Sequence, residues 1–292
     1  MKIKDVLKNG FEVLKKNQIE DYYIIARILL AYVLDKPKTY LVMNQDDEID
    51  DAACKKYNEL LEDIINGKPL QYITNHQEFM GLDFFVNEDV LIPQPDTEIL
   101  AEKVLSIAKD NYQDEVSILD LCTGSGAIAI SLYKNLERCN IYASDISEAA
   151  LKIAQKNAIN NNANISFKKS DLFENFKEYK FDIIVSNPPY IKTDEIQKLS
   201  KQVKNEPHLA LDGGKDGLEF YRKIAKESSN FLSTNGFLCL EIGYDQAEEV
   251  VQILREKYKN IEVLKDLSGN NRCVIAQKET NYEKSIEKWK FF

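Results

Sequence analysis

Apolar side chains recur at helical spacing along the first 75 residues, and no strand-like alternation interrupts them. One such stripe consists of Ile24, Ile25, Ile28, Leu29, Tyr32 and Val33, and a second consists of Tyr57, Leu60, Leu61, Ile64 and Ile65. Apolar residues repeated every three to four positions lie on one face of a helix. Gly67 and Pro69 follow the second stripe and favour a helix end there. We therefore predict a small all-α domain at residues 1–75.

The pattern changes between residues 76 and 95. The stretch EFMGLDFFVNEDVLI has two short apolar runs around residues 87–89, which predicts a β-hairpin. We interpret residues 76–95 as a hairpin linker. After Pro95, either Asp96 or Thr97 is suited to cap a helix whose apolar positions face a core.

Strand and helix patterns alternate from Ser117 onward, as in SILDLCTG, GAIAISLYKN, NIYASD and EAALKIAQKNAI. This alternation predicts an α/β domain with a mostly parallel sheet at residues 96–292. The final strand patterns, IEVLKDL and RCVIAQK, are separated by residues 268–271 alone. That gap is too short for a crossover helix, so we expect an antiparallel terminal hairpin. For the tail NYEKSIEKWKFF, the sequence favours neither a terminal helix nor a frayed end.

Chain length and residue composition limit the classes of protein to which this sequence can belong. A chain of 292 residues suits a large catalytic domain with a small accessory one. We expect a cytoplasmic protein without a membrane segment, because no apolar stretch approaches the ~20 residues of a membrane span or forms a signal-peptide core. The five cysteines include no C-x-x-C pair, and the two histidines lie far apart. We therefore expect neither a disulfide framework nor a metal site.

Net charge bears on possible partners. The formal charge is −10 and the sequence pI is about 5.0. Phosphate-dominated binding of nucleic acid would meet net repulsion unless a local basic patch overcame it. We expect no direct nucleic-acid binding, and we expect the protein to act as a monomer.

A glycine-containing loop joins the first strand pattern of the α/β region to a helix. It consists of Cys122, Thr123, Gly124, Ser125 and Gly126. Glycines let the backbone turn tightly and approach a ligand, and Asp145, at the end of the next strand, can accept both hydroxyls of a ribose. Asp120 is placed to meet the ammonium group of S-adenosylmethionine. Because Gly124-x-Gly126-x-x-Ala129 also satisfies the dinucleotide fingerprint, a nicotinamide-dependent oxidoreductase is an alternative.

A second motif, Asn187-Pro188-Pro189-Tyr190, ends the strand pattern FDIIVS. The Asn187 side-chain oxygen and the Pro188 carbonyl can each accept one N–H of a flat NH₂ group. The prolines restrict the backbone, and Tyr190 offers an aromatic face. Two fixed acceptors stabilise the positive charge that an amide nitrogen acquires as it attacks a sulfonium methyl. The motif predicts methyl transfer to a planar amide or amine nitrogen.

With these motifs, the sequence resembles the HemK/PrmC family, the peptide chain release factor glutamine methyltransferases. The matching segments are PLQYI, EFMGL, VLIP, DLCTGSGAIAI, NPPYI, EP at 206–207, GGKDGLEFYRKI, LEIGYDQ and DLSGNNR. The resemblance implies a helical amino-terminal domain that recognises the release factor and a Rossmann-like S-adenosylmethionine methyltransferase domain. It also implies methylation of the glutamine in the Gly-Gly-Gln loop of the factor, with S-adenosylhomocysteine as the other product.

The resemblance assigns roles to particular residues. Cofactor contacts fall on residues 122–126, Asp145, Leu172 and Asn187. The substrate glutamine is expected against Asn187, Pro188, Pro189 and Tyr190, with Asn187, Pro188 and Tyr190 as the catalytic residues. The chain departs from the family at four positions: Cys122 replaces a glycine, Leu172 replaces an aromatic residue, and Gln94 and Asp96 change P-R-P-E-T-E to P-Q-P-D-T-E.

Other functions fit part of this pattern. A sister family methylates a glutamine of a large-subunit ribosomal protein and shares the Asn-Pro-Pro-Tyr motif. A DNA methyltransferase that acts on the adenine amine uses a similar motif after flipping the base, although no basic target-reading insertion is evident here. A non-catalytic binding module is a third alternative, which the intact acceptors and glycine loop disfavour.

Overall fold

A computed structural model describes residues 1–279. The terminal segment NYEKSIEKWKFF lies outside these residues. The chain forms two compact units. The first comprises residues 1–76 together with 199–205, and the second comprises residues 77–198 and the chain from Glu206 onward.

The first unit is helical, as predicted. Its helices are α1 (Ile3–Lys16), α2 (Tyr22–Leu34), α3 (Lys38–Met43), α4 (Asp51–Ile65) and α5 (Leu70–Thr74). Asp50 caps α4 by accepting a hydrogen bond from the Ala53 amide at 2.7 Å. Gly67, at φ 98°, follows the end of this helix. The Asn205 side chain donates to the Gly67 carbonyl at 2.9 Å, so the 199–205 segment is tied to this helix end.

A β-hairpin opens the second unit, but its turn is not where the sequence pattern placed it. Strands β1 (Gln77–Phe79) and β2 (Leu82–Phe84) pair antiparallel through a turn at Met80 and Gly81. Both turn residues have positive φ, 51° and 71°, as a two-residue hairpin turn with φ > 0 at both central positions requires. The predicted hairpin around residues 87–89 is wrong: the chain turns there, with the Val90 amide donating to the Asn87 carbonyl at 3.2 Å, but no strand follows. Phe79 and Phe84 are buried in the core of this unit.

The second unit contains a mostly parallel sheet, as predicted. Its strands are β3 (Val116–Leu121), β4 (Cys139–Asp145), β5 (Ser166–Lys169), β6 (Phe181–Ser186), β7 (Leu232–Glu241), β8 (Tyr258–Lys265) and β9 (Asn271–Lys278). Their order is β5-β4-β3-β6-β7-β9-β8. Strands β5, β4, β3, β6 and β7 are parallel, and β9 is antiparallel to both β7 and β8. The expected antiparallel terminal hairpin is therefore confirmed.

Helices surround this sheet. They are α6 (Pro95–Asn111), α7 (Ala127–Asn135), α8 (Glu148–Asn160), α9 (Thr193–Ile196), α11 (His208–Leu211), α12 (Glu219–Phe231) and α13 (Ala247–Leu254). The remaining helix, α10 (Lys201–Lys204), belongs to the first unit. Gln94 occupies the N-cap of α6 and Pro95 its first turn, so the prediction that Asp96 or Thr97 caps the helix is wrong. Both residues lie within the first turn, where their side chains are available for other contacts.

Strand order brings the predicted motifs to one edge of the sheet. Strand β3 lies between β4 and β6, and its Leu121 pairs with Ser144 on one side and Ser186 on the other. The strand order changes direction at this point: the chain adds β4 and β5 on one side of β3 and then continues with β6 on the other side. Open α/β sheets bind ligands at such a position. Three of the predicted site residues therefore lie at neighbouring strand ends: Cys122 directly follows β3, Asp145 ends β4 and Asn187 directly follows β6. In the described part of the chain, no helix is long and apolar enough to cross a membrane.

Candidate active site

The loop between β3 and α7 has a backbone that suits glycine. Cys122, Gly124 and Gly126 have φ values of 58°, 54° and 82°. A Cβ atom on Gly124 would meet no atom within 4 Å, so this part of the backbone faces open space. The left-handed conformation costs a residue other than glycine about 1–2 kcal/mol. This cost explains why glycine suits the position of Cys122, whose thiol pKa is raised by burial.

Asp145 is held against this loop at the end of β4. Its Oδ2 accepts a hydrogen bond from the Gly124 amide at 3.0 Å, and its Oδ1 accepts one from the Ser147 amide at 2.9 Å. Burial raises the pKa of the Asp145 carboxyl, and these two amides act in the opposite direction. The carboxylate is thereby fixed at the sheet edge with lone pairs left for further donors.

Asp120 lies beneath the loop rather than beside the open space above it. The side chain is fully buried, and its Oδ2 accepts from the Thr123 hydroxyl at 2.6 Å and from the Ala129 amide at 3.3 Å. Burial raises its pKa to about 7. Asp120 thus stabilises the loop and the start of α7, whereas the sequence analysis had placed it against the cofactor ammonium group.

A cavity of about 220 Å³ opens above the loop. Four of the predicted cofactor residues line it: Cys122, Gly124, Asp145 and Leu172. Thr123, Ser125 and Gly126 are buried in the loop and do not line it. Further residues that were not predicted also line the cavity, among them Ile146, Ser147, Asp171, Leu209, Phe220 and Lys223. Of these, only Phe220 and Lys223 lie in a segment that carried the resemblance, GGKDGLEFYRKI.

The cavity wall fits an adenosine-type cofactor. The Asp145 carboxylate can accept ribose hydroxyls, and Ile146, Leu172 and Phe220 supply apolar surface for a base. A pyrophosphate would fit poorly. The Gly124 amide already donates to Asp145, the Gly126 amide donates to the Thr123 carbonyl at 2.8 Å, and a buried carboxyl lies beneath the start of α7. Because these amides are already engaged and a carboxyl lies nearby, the loop offers few donors to a phosphate group. It therefore favours the cationic S-adenosylmethionine over a dinucleotide.

Metal ligands are absent from the described residues: no three His, Cys, Asp or Glu side chains in residues 1–279 form a group that could hold an ion.

Asn187 occupies the end of β6, next to Ser186. Its side chain is half-buried, and its Nδ2 donates a hydrogen bond to the Thr97 hydroxyl oxygen at 3.3 Å. This bond orients the amide and leaves Oδ1 as the atom that can accept from a substrate. Among the four residues of the motif, Pro189 lines the cavity, while Asn187, Pro188 and Tyr190 do not.

Tyr190 is held by its backbone as well as by its ring. Its hydroxyl donates to Glu241 Oε1 at 3.4 Å, and its carbonyl accepts from Gln246 Nε2 at 3.0 Å. A Cβ atom on Gly213 would lie 2.6 Å from the Tyr190 Cα, and one on Gly217 would lie 2.5 Å from the Tyr190 carbonyl oxygen. The segments GGKDGLEFY and EIGYDQ therefore fix the backbone of the Asn-Pro-Pro-Tyr loop.

Glu241, at the end of β7, lies behind this loop. The side chain is buried, which raises its pKa to about 7, while the polar neighbours Thr97 and Tyr190 and the charge of Arg272 act in the opposite direction. Arg272 forms ion pairs with Asp96 and Asp266, each at 3.0 Å. Thr97, Glu241 and Arg272 were not predicted as site residues. Glu241 and Arg272 lie in segments that carried the resemblance, and Thr97 lies in the P-Q-P-D-T-E segment.

The two residues of the P-Q-P-D segment that depart from the family pattern, Gln94 and Asp96, each make a defined contact. Asp96 keeps an ion pair with Arg272, although aspartate is shorter than the family's glutamate. Gln94 donates from Nε2 to the Ile92 carbonyl at 3.0 Å, a local contact in the approach to α6.

Comparison with known proteins gives matches over both units. The Methyltransferase small domain matches residues 96–271, and the PrmC N-terminal domain matches residues 5–74. The release factor glutamine methyltransferase of Clostridium acetobutylicum is 44% identical over 94% of this chain and 98% of its own length. The protein of the same name from Clostridium botulinum is 43% identical over 95% and 100%.

Among solved structures, a methyltransferase from Pyrococcus furiosus shares the fold with a TM-score of 0.51 and 21% identity. It covers 76% of this chain and 99% of its own.

Proposed function

The chain belongs to the family of release factor glutamine methyltransferases, and on that basis we propose that it methylates the glutamine of the Gly-Gly-Gln loop in peptide chain release factors. The methyl group comes from S-adenosylmethionine, and the acceptor is the side-chain amide nitrogen. Because the substrate is a translation factor, we place the reaction in the cytoplasm, and we propose that the enzyme acts as a monomer.

One observation carries this proposal. Because Asn187 Nδ2 donates to Thr97, its Oδ1 is the atom left to accept a hydrogen bond from a substrate. Asn187 follows β6, which lies next to β3, the strand that leads into the cavity-lining loop. An acceptor of fixed polarity at this place suits a carboxamide, which must offer N–H groups there while its nitrogen faces the methyl donor.

Each group of the site has a task in the reaction. Asp145, Gly124 and Leu172 would hold the cofactor, whose sulfonium supplies the methyl group. The Asn187 Oδ1 and the Pro188 carbonyl accept the two N–H bonds of the substrate amide. As the bond from the nitrogen to the methyl carbon forms, the bond from that carbon to sulfur would break and leave a neutral thioether. The nitrogen gains positive charge, which these oxygens stabilise until one N–H proton passes to solvent water. The Tyr190 ring packs against the carboxamide, and the prolines restrict the loop backbone.

The test uses labelled S-adenosylmethionine and three acceptors: a release factor, the large-subunit ribosomal protein and adenine-containing DNA. We expect label on the release factor, and none once its loop glutamine is replaced. DNA should stay unlabelled because the net charge of −10 opposes phosphate binding. Label on the ribosomal protein alone would transfer the proposal to the sister activity.

Asn187→Ala provides the test of the site. Loss of one oriented acceptor should reduce kcat about 100-fold or more. Asn140→Ala is the matched control, because that side chain is exposed on β4 and contacts only Glu115 among the described residues. Near-normal turnover of Asn187→Ala would contradict the assignment.

A further inference from the structure

Asn157 is a polar residue at a core position of α8. The buried side chains of this helix recur at helical spacing and are otherwise apolar: Ala150, Leu151, Ile153, Ala154, Asn157 and Ala158. The Asn157 side chain is 0% exposed. Asparagine is a poor helix former, and a buried amide destabilises a fold unless it is hydrogen-bonded. Neither packing nor helix propensity therefore accounts for this residue, and its hydrogen-bond partners must.

The Asn157 carboxamide bonds to two segments that are distant in sequence. Its Nδ2 donates to the Ser125 carbonyl at 2.9 Å and to the Phe85 carbonyl at 3.0 Å. Its Oδ1 accepts from the Phe85 amide at 2.7 Å. These partners fix the orientation of the carboxamide, because the flipped form would set its oxygen against two carbonyls and its NH₂ against an N–H.

Both segments that Asn157 holds continue into the cavity wall. Ser125 lies in the glycine loop (residues 122–126), part of which lines the cavity. Phe85 directly follows β2, and the chain beyond it lines the cavity at residues 89–91. Asn157 itself is not a lining residue. Any effect of its side chain on a bound ligand must therefore pass through these two segments.

Helix α8 gives the bond to the glycine loop a fixed base. The loop packs closely on this helix, since a Cβ atom on Gly126 would lie 3.1 Å from the Ala154 Cβ. Ala154 therefore blocks movement of the loop toward α8. Movement away from α8 would break the bond between Ser125 and Asn157. The loop is thus held at one position on the helix.

We propose that Asn157 is a positioning residue for cofactor binding, which holds the glycine loop and the 85–91 segment in a fixed relative position by bonding to both. This inference rests on the proposed function, in which the cavity takes S-adenosylmethionine. A ligand that contacts two walls binds more tightly when both are already in place, because less ordering entropy is lost on binding. Asn157 thereby contributes to cofactor affinity without touching the cofactor.

Asn157→Asp separates the hydrogen-bond donors from the shape of the side chain. The aspartate keeps an acceptor for the Phe85 amide, but an ionised carboxylate has no donor and a protonated one has a single donor in place of two. We expect the calorimetric Kd for S-adenosylmethionine to rise at least about tenfold, equivalent to about 1.4 kcal/mol. At saturating cofactor, kcat should stay within about threefold of the wild type, so the loss appears in the KM for the cofactor.

Asn161→Ala is the matched control for damage to the fold. Asn161 is the C-cap of α8, and its Nδ2 donates to the carbonyls of Asp83 and Asn157, each at 3.0 Å. Its loss loosens the same hairpin and leaves the bond to the glycine loop intact. We expect a lower urea unfolding midpoint and a Kd within about twofold of the wild type. A purely structural role of Asn157 would give this same pattern in folded Asn157→Asp.

Hydrogen exchange of the wild-type protein provides a test that needs no variant. The Phe85 amide donates to Asn157, and Phe85 does not line the cavity. Saturation with S-adenosylmethionine should slow exchange of this amide at least about tenfold, because the cofactor fixes the loop to which Asn157 is bonded. The Met80 amide is the control, because it donates to Glu98 Oε1 at 2.6 Å instead. Its rate should change less than about twofold.

The inference is overturned if folded Asn157→Asp binds S-adenosylmethionine within about threefold of the wild-type Kd, or if Asn161→Ala raises the Kd as much as Asn157→Asp. An exchange rate of the Phe85 amide that is the same with and without cofactor also overturns it. Should Asn157→Asp fail to fold, this exchange measurement still decides the question. Failure of the proposed function is distinct, because then the wild-type protein itself leaves the release factor unlabelled.

Discussion

At the scale of single residues, two departures from the family pattern lie at left-handed backbone positions. Cys122 and Leu172 both have positive φ, 58° and 45°. Leu172 is nevertheless well supported, since the Ser170 hydroxyl donates to its carbonyl at 2.8 Å and its side chain is 8% exposed in the cavity wall. An aliphatic residue can therefore supply the apolar cover that an aromatic residue would give.

Gly124→Ala should impair cofactor binding more than folding. The added Cβ meets no protein atom within 4 Å and would project from the cavity wall, where it competes with the ligand. We expect the calorimetric Kd for S-adenosylmethionine to rise at least about tenfold, a loss of about 1.4 kcal/mol. Gly81→Ala is the matched control, because Gly81 also has a positive φ, 71° against 54° for Gly124, and equally open surroundings at the hairpin turn. Equal binding by both variants would exclude a close approach of the cofactor to Gly124.

The raised pKa values of two buried carboxyls predict that the free energy of unfolding falls as pH rises. Burial raises the pKa of Asp120 and of Glu241 to about 7, above the ordinary values of 3.8 and 4.5. Between the unfolded and folded values the folded chain binds more protons, so its free energy of unfolding decreases as pH rises toward 7 and then levels off. The free energies of urea unfolding at pH 5.5 and pH 8 should differ by about 2 kcal/mol per group.

Glu241→Gln tests this assignment, since it removes one of the two titrating groups. The difference in unfolding free energy between pH 5.5 and pH 8 should become smaller in that variant. An unchanged difference, or a wild-type protein that is more stable at pH 8, would contradict it.

At the scale of elements, the loop after β6 depends on neighbours that are distant in sequence. Gln246 is buried and bridges three backbone groups: it donates to the carbonyls of Tyr190 and Gly217 and accepts from the Gly243 amide at 2.9 Å. One side chain thus links the Asn-Pro-Pro-Tyr loop to the segments that precede α12 and α13.

Gln246→Ala should therefore lower both stability and kcat. It leaves buried backbone groups without partners, at a cost of about 1–3 kcal/mol for each. The unfolding midpoint and the turnover on a release factor measure the two effects. Gln252→Ala is the matched control, because Gln252 is an exposed glutamine on the same helix. A normal kcat in Gln246→Ala would indicate that the loop holds its conformation without this bridge.

The elements also show where pattern reasoning succeeds and fails. The strands β3 and β6 and the loops after them were predicted, because a buried parallel strand that ends in glycine or proline is a strong local signal. The hairpin turn was predicted at the wrong residues because Met80 adopts a left-handed backbone conformation. A methionine rarely adopts it, so its residue type gave no sign of a turn there. The role of Thr97 was also missed, since a threonine after proline reads equally well as a helix cap.

At the scale of the whole molecule, the cavity is assembled from segments far apart in the chain. Cofactor binding should protect the amides of all these segments together, because a ligand that binds only the folded state stabilises whatever it contacts. Hydrogen exchange with S-adenosylmethionine at 100 times its Kd should slow up to about 100-fold, equivalent to about 2.7 kcal/mol. The segments lie at residues 89–91, 122–124, 144–147, 170–172, 207–210 and 220–223.

The same measurement contains its own control. Amides of α1 and α2, which do not line the cavity, should exchange at unchanged rates. Protection confined to residues 122–126 would indicate a ligand smaller than a nucleoside and would contradict the predicted cofactor.

The sequence by itself determined the element types, the glycine loop and the Asn-Pro-Pro-Tyr motif, because each is encoded by neighbouring residues whose conformational preferences act locally. Only the tertiary structure decided that Asp120 supports the loop from below, that Asn187 donates to Thr97 and that Tyr190 donates to Glu241. Burial and hydrogen-bond direction depend on atoms brought together across the sheet, and separations of many residues leave no periodic signal in the chain.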